Sequence, residues 1–300
     1  MAFENVGSIL RMGSVSSSVR LLLITASSSR PKYRELCLRL LQPFTKNGEI
    51  LLRYRCYGRD VQCFVRLSDL SSDLQGVFDL SIRDAYDLDF GFQPDLVIDG
   101  GANIGLFTLR AAAALSGKSP VKFVVCEPLP RNVEQLQKHL DINGIQAEVI
   151  AGCLGGALRS IPFYCREAIH SSFDPHKPYT SVIDMPVYTL EDAIGAYPAT
   201  RILIKLDIEG MEMEVLKTFI PSEHRPVYLV GELHEYGKNA STFEQIFRDN
   251  VWTFEYREVN DDHATFRACS PAALPLLPSM ASCGSPKCHP GGKSVVDGHA

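Results

Sequence analysis

Asp99 and Glu127 are the two carboxylates whose positions say most about what this chain could bind. Asp99 closes an apolar run and is followed at once by a glycine-rich turn, in the stretch LVIDGGANIGLFT over 96–108. That order places Asp99 and the backbone of Gly100, Gly101 and Gly105 at the carboxyl end of a first parallel strand, where open α/β sheets bind ligands. Gly101 can take a positive φ and let a ligand approach the backbone, Gly105 can let the helix pack close to its strand, and the Asn103 amide can cap that helix or bond a ligand. Glu127 ends the next apolar run, KFVVC, 22 residues beyond Gly105, the reach at which a βαβ unit brings a carboxylate to ribose hydroxyls. The turn lacks the GxGxxG spacing that aims a pyrophosphate at a helix N-terminus. An acid just before it also repels a diphosphate and suits a cation, so S-adenosylmethionine, with its sulfonium and amino group, fits better than NAD.

A second group of ionisable residues follows two later apolar runs. Asp207 and Glu209 come after 201–206, in KLDIEG, and Lys205, Asp207 and Glu209 point one way if the extended geometry persists. Glu232 and His234 come after 226–231, in VGELHEY. A histidine has the free pKa nearest neutrality, so His234 is the first candidate to take a proton from a hydroxyl, with Asp207 as the other and Glu209 orienting the acceptor. Plainer readings stand beside these. Asp207 and Glu209 can cap and charge the helix that begins at Met211, Glu127 can cap the helix after Pro130, and a lone strand-end histidine can be structural.

The elements that must position these groups alternate in type. Strands are expected at 122–126, 147–151, 201–206 and 226–231 after the first, with helices at 131–143, stopped by Asn143-Gly144, and 211–219, stopped by Pro221. Beyond Asp249, VWTFEYRE and HATFRA read as a closing antiparallel hairpin that supplies a sixth and a seventh strand. The pattern is that of a doubly wound α/β fold with a mostly parallel sheet.

The blocks VIDGGANIGLFT, CEP at 126–128, TLEDAI at 189–194, IKLDIEGMEMEVLK at 204–217 and ELH at 232–234 resemble, in the same order, those of the FkbM family of S-adenosylmethionine-dependent methyltransferases. The resemblance covers about 93–236. It implies a seven-stranded, Rossmann-like class I methyltransferase fold, S-adenosylmethionine as cofactor, and cofactor contacts at Asp99, Gly101, Asn103, Gly105 and Glu127. Two departures stand out: Gly100, where the family usually carries a β-branched or apolar residue, and Gly152-Cys153-Leu154, where it tends to have a small residue such as alanine.

The reaction expected is methyl transfer to a hydroxyl of a small-molecule or sugar-containing acceptor. An NAD-dependent oxidoreductase and a noncatalytic cofactor-binding scaffold are the alternatives. A net charge of −5 over 300 residues gives no basic footprint for nucleic acid, and no apolar run reaches the length of a membrane span. The nine cysteines form no regular framework, which suggests reduced thiols and a cytoplasmic protein. Four regions are expected: a partly helical N-terminal segment (1–45), a β-rich accessory segment (46–92) with a hairpin around Gly58-Arg59-Asp60, the FkbM-like domain (93–268), and a Pro- and Gly-rich disordered tail (269–300). The resemblance implies that the segment 79–92 lies near the site, so that Tyr86 or Asp84 could touch substrate, although a surface connection is the simpler expectation. The loop holding His170, Ser171, Ser172, Asp174 and His176 reads as a substrate lid with polar contacts and no metal site. Cys283 with Cys288-His289 makes only half of a zinc site.

Overall fold

A computed structural model describes residues 43, 45–81, 85–86, 88–89, 91–156, 159–165, 179–195, 197–260, 262–277 and 280. Residues 1–42 of the expected partly helical N-terminal segment, Asp84, the lid loop with His170 and His176, and the Cys283 and Cys288 pair lie outside them. The first elements are β1 (Thr45–Lys46), β2 (Glu49–Cys56) and β3 (Arg59–Arg66), which pair as a small antiparallel sheet, followed by α1 (Leu70–Ser81). Next come β4 (Leu96–Gly100), α2 (Leu106–Leu115), β5 (Lys122–Cys126), α3 (Pro130–Asn143) and β6 (Glu148–Ile150). A second three-stranded sheet, β7 (Cys153–Leu154), β8 (Ser160–Cys165) and β9 (Ser181–Tyr188), interrupts the alternation. The chain then runs through α4 (Leu190–Ile194), β10 (Ile202–Leu206), α5 (Glu212–Ser222), β11 (Val227–His234), α6 (Tyr236–Asp249), β12 (Thr253–Val259) and β13 (His263–Cys269).

The main sheet has seven strands in the order β12-β13-β11-β10-β4-β5-β6. β4, β5, β6, β10 and β11 are parallel, and only β13 runs against its neighbours. The expected doubly wound, mostly parallel seven-stranded fold is what forms. Alternate residues of the buried strands feed two separate cores, as the two-residue strand period requires. Leu96, Ile98, Ile202, Ile204 and Leu229 pack with Leu216, Phe219, Phe243 and Phe247 of α5 and α6. Val97, Leu203, Tyr228 and Val230 pack on the opposite face with Phe107, Ala111 and Leu115 of α2. Strand order reverses between β4 and β10, and the crevice above that reversal is where the fold leaves room for a ligand.

The accessory sheet does not leave the edge of β3 bare. Side chains of α3 take over the ladder: Gln62 N–H donates to Asn143 Oδ1 (2.9 Å), Asn143 Nδ2 donates to the Gln62 carbonyl (2.7 Å), and Phe64 N–H donates to His139 Nε2 (2.8 Å). A backbone N–H can only donate, so Nε2 is the acceptor and the ring proton sits on Nδ1, which donates to the Ile104 carbonyl (2.7 Å). Burial, opposed by the Nδ1–H bond to the Ile104 carbonyl, pushes the His139 pKa down to about 4. Unfolded His139 binds its proton near pH 6.5, so the unfolded state holds more protons between the two values and stability rises with pH there. We expect roughly 3 kcal/mol of stability to be lost on acidifying from pH 6.5 to 4 through this residue. Denaturant unfolding of wild type and His139→Gln across that range checks it, since the variant should lack this component of the pH dependence.

Several expectations need correction. The segment holding Tyr86 is not a surface connection: Tyr86, Leu88 and Phe92 are buried against the sheet with Phe107 and Tyr228. Order does not end at Ala268 either. Cys269 completes β13, Ser270 Oγ accepts from Val227 N–H and donates to the Arg225 carbonyl, and Ala273, Leu277 and Met280 cover Leu203 and Tyr228. Pro271 and Pro275 hide the apolar spacing of that stretch. The helix at α5 runs through Pro221 to Ser222 instead of stopping before it, because a last-turn proline lacks only one N–H bond. Finally, a Cβ on Gly100 would lie 2.7 Å from Leu154 Cδ1 and 3.0 Å from the Lys205 carbonyl oxygen. The two departures from the family pattern therefore touch: Leu154 fills the space that a side chain at 100 would claim.

Candidate active site

The glycine turn is shaped by its neighbours in the protein. Gly101 has φ +71, and a Cβ there would stand 1.8 Å from the Asp207 carbonyl oxygen, so the residue must be glycine for β4 and β10 to lie side by side. Gly105 (φ +82) faces Leu136 of α3, not its own strand. Asn103 does not cap α2, whose N-cap is Gly105. Its backbone N–H donates to Glu127 Oε2 (2.8 Å), and its side-chain oxygen is buried with no hydrogen-bond partner among the described residues.

Asp99 lies at the carboxyl end of β4, as expected. The parallel register sets Lys205 directly beside it, and Lys205 Nζ lies 3.3 Å from Asp99 Oδ1 while donating to the Gly101 carbonyl at 2.6 Å. Thr108 Oγ1 donates to Asp99 Oδ2 (2.7 Å). Asp99 has no exposed surface. Burial pulls the Lys205 ammonium down, but Asp99 and then Asp207 outweigh it and hold its pKa above the ordinary value. The Asp99 carboxylate is thus paired with the Lys205 ammonium behind the turn. A lysine inside the apolar strand ILIKL was the available signal, because a buried ammonium requires a carboxylate partner.

Glu127 is buried at the end of β5. Its Oε1 accepts from Leu129 N–H (3.0 Å) and Asn132 Nδ2 (3.1 Å), and its Oε2 from Asn103 N–H. Burial raises its pKa, and the three donors pull it back.

Across the crevice the chain leaves β10 at Leu206, and Glu209 (φ +56) and Gly210 (φ +104) break the extended geometry. Neither Asp207 nor Glu209 caps α5. The N-cap is Met211, with no side-chain cap bond, and Glu212 in the first turn instead ties down the preceding loop, accepting from Ile208 N–H (2.9 Å) and Gly210 N–H (3.1 Å). Asp207 instead accepts from the Tyr86 hydroxyl (2.9 Å), a contact across 121 residues. Burial, followed by Asp207, drives the Tyr86 pKa well up, so the phenol stays a donor.

His234 Nδ1 lies 2.9 Å from Glu212 Oε1, and its Nε2 lies 3.8 Å from Glu209 Oε2. Burial lowers the imidazole pKa, but the Glu212 hydrogen bond and charge, with Asp207 and Glu209, push it up to about 10. At neutral pH His234 is an imidazolium, which does not suit the proton-acceptor role its type suggested. The carboxylates shift the other way. Burial and then Asp207 push Glu209 up to about 8 and Glu232 to about 7. The Glu209 side chain is 39% exposed to the open crevice, and water there offsets part of that rise.

Gly101, Asn103, Glu127, Asp207, Glu209 and His234 all line one cavity of about 1380 Å³, and Asp99 and Gly105 do not. Tyr86, Lys205, Glu232 and His263 line it as well. One arm holds the glycine turn and Glu127, and the other holds the carboxylates around His234. Among the described residues no helix is long and apolar enough to cross a membrane.

The family model of the methyltransferase FkbM domain matches residues 99–260. A curated relative, Methyltransferase 1 of Beauveria bassiana (strain ARSEF 2860), is 27% identical over 145 residues, covering 40% of this chain and 57% of the relative. Among solved structures, a methyltransferase FkbM from Methylobacillus flagellatus KT is 18% identical with a TM-score of 0.44, covering 89% of this chain and 58% of that one. M. jannaschii TYW2 in complex with AdoMet is 12% identical with a TM-score of 0.41, covering 75% and 87%. The chain thus spans under two thirds of both the curated relative and the FkbM structure. The match runs from Asp99 of β4 to the end of β12, across more than half of the sequence: the chain belongs to the FkbM methyltransferase family.

Proposed function

We propose that this protein transfers a methyl group from S-adenosylmethionine to a hydroxyl oxygen on a small-molecule or sugar-containing acceptor. The observation that carries this reading is the single cavity joining a glycine turn and a strand-end carboxylate to a separate cluster of carboxylates with raised pKa values. The residues present fit the cofactor. Asn103 Oδ1 is a buried acceptor without a partner among the described residues, suited to an N–H donor such as the amino group. Glu127 Oε2 accepts Asn103 N–H and, as a carboxylate oxygen, can also take a ribose hydroxyl proton. Asp207 adds a further carboxylate to the cavity wall.

When bound, S-adenosylmethionine supplies a methyl group already activated by its sulfonium. The protein's own tasks are alignment, exclusion of water and removal of one proton. Glu209 is the residue placed to accept the acceptor's hydroxyl proton, because its raised pKa matches a general base working near neutrality. His234, kept charged by Glu212, holds Glu209 in place. Tyr86 fixes one oxygen of Asp207, leaving the other for the ligand.

The test is an incubation of purified protein with methyl-labelled cofactor and cell extract, alongside calorimetry with S-adenosylhomocysteine. Label on an oxygen of a hydroxyl-bearing product is expected. Binding of a nicotinamide cofactor without any heat from S-adenosylhomocysteine would replace this reading with an oxidoreductase.

A further inference from the structure

The residue that holds Glu127 from behind does not belong to the matched region. Arg66, at the end of β3, is buried, and its guanidinium reaches α1 on one side and α3 on the other, with Asp69 Oδ2 3.8 Å from Nε and the Arg131 carbonyl 3.4 Å from Nη1. Nε and Nη2 grip Asp73 of α1 at 3.0 and 2.7 Å, while the Arg66 N–H donates to the same carboxylate at 2.8 Å. Nη1 turns the other way and donates to Asn132 Oδ1 (3.0 Å). An arginine can only donate, so this bond fixes which end of the Asn132 amide is oxygen, and the amide nitrogen must face Glu127 Oε1 at 3.1 Å. Asp73, Arg66, Asn132 and Glu127 have 1, 7, 2 and 4% of their surface exposed, so water does not compete for these bonds.

We propose that Arg66 and Asp73 are positioning residues for the cofactor's ribose, orienting Glu127 through Asn132. The inference rests on the S-adenosylmethionine reading above. A purely structural tie between β3 and α1 would be complete with the Arg66–Asp73 pair. The third guanidinium nitrogen instead reaches across to α3 and the cavity carboxylate. The α1 helix reaches the cavity wall itself, where Ser72 is buried with a hydroxyl that has no hydrogen-bond partner among the described residues. The accessory segment is then part of the cofactor site and not an appendage to it.

The full-length protein tests this by calorimetry with S-adenosylhomocysteine and its 2′-deoxy analogue. Wild type should bind the deoxy compound about tenfold more weakly, or roughly 1.4 kcal/mol. Arg66→Met/Asp73→Leu removes both buried charges together, which proteins tolerate better than removing one. It should bind S-adenosylhomocysteine about tenfold more weakly and discriminate between the two ligands by less than threefold. Should that variant fail to fold, Asn132→Asp keeps an acceptor for Arg66 but presents Glu127 with an oxygen in place of a donor, and the same loss of discrimination is expected. A folded variant that weakens binding of both ligands equally, or binds both as wild type does, overturns the inference alone. Wild type binding neither ligand overturns the cofactor reading, and this inference with it.

Discussion

Gly101→Ala should lower the melting temperature by about 10 °C or more and abolish methyl transfer. The new Cβ would stand 1.8 Å from the Asp207 carbonyl oxygen, which is backbone and cannot rotate away. Three penalties combine. A left-handed φ costs an alanine roughly 1–2 kcal/mol, displacing packed backbone costs a further 1–3 kcal/mol, and the Lys205 bond to the Gly101 carbonyl is disturbed. The sum, about 3–5 kcal/mol, is a large share of the 5–15 kcal/mol that ordinarily separates folded from unfolded. Thermal unfolding measures the stability, and calorimetry with S-adenosylhomocysteine measures the site. A variant that melts with wild type would mean that β4 and β10 are not held as closely as their register requires.

Glu209→Gln should leave cofactor binding within a few-fold of wild type and reduce the rate of methyl transfer by about 10²–10⁴, the usual contribution of a positioned base. The pH profile separates this role from a structural one. A base must be ionised to work, so kcat/KM in wild type should rise with pH through about 8 as Glu209 deprotonates. It should fall again near 10, where His234 loses its charge. Glu232 titrates close by, so the acid limb reports the carboxylates as a group. In Glu209→Gln the limb near 8 should disappear and the limb near 10 should remain. Full activity in the glutamine variant would move the base to Glu232 or Asp207. His234→Ala is expected to shift the acid limb upward, because the Glu209 carboxylate then loses its neighbouring cation.

Most of the sheet was legible because each parallel strand is a short apolar run ending in an acid, a glycine or both. Asn143-Gly144 marked a helix end, and Gly144 takes the left-handed conformation there. The site was legible only where local sequence decides geometry. Glu127 lies on the cavity because one βαβ unit fixes its distance from the turn. The sequence places Asp99 at its strand end but hides its partner, since Lys205 arrives through the pairing of β4 with β10, a relation that nothing near Asp99 encodes. Tyr86 and Asp207 meet for the same reason. Glu212 reads locally as one more acid of a helix start, and only the fold shows that it binds the loop before α5 and the His234 ring. The β9 strand was missed because Asp184 and Pro186 interrupt the alternation in SVIDMPVY. Long-range pairing, then, decided what the local pattern could not.

The crowding at position 100 ties β4, β7 and β10 together in any redesign of the fold. A Cβ there would lie 2.7 Å from Leu154 Cδ1 and 3.0 Å from the Lys205 carbonyl oxygen, so trimming Leu154 relieves one clash and leaves the backbone one. Substitutions at 100 and 154 should therefore be non-additive in their effect on stability.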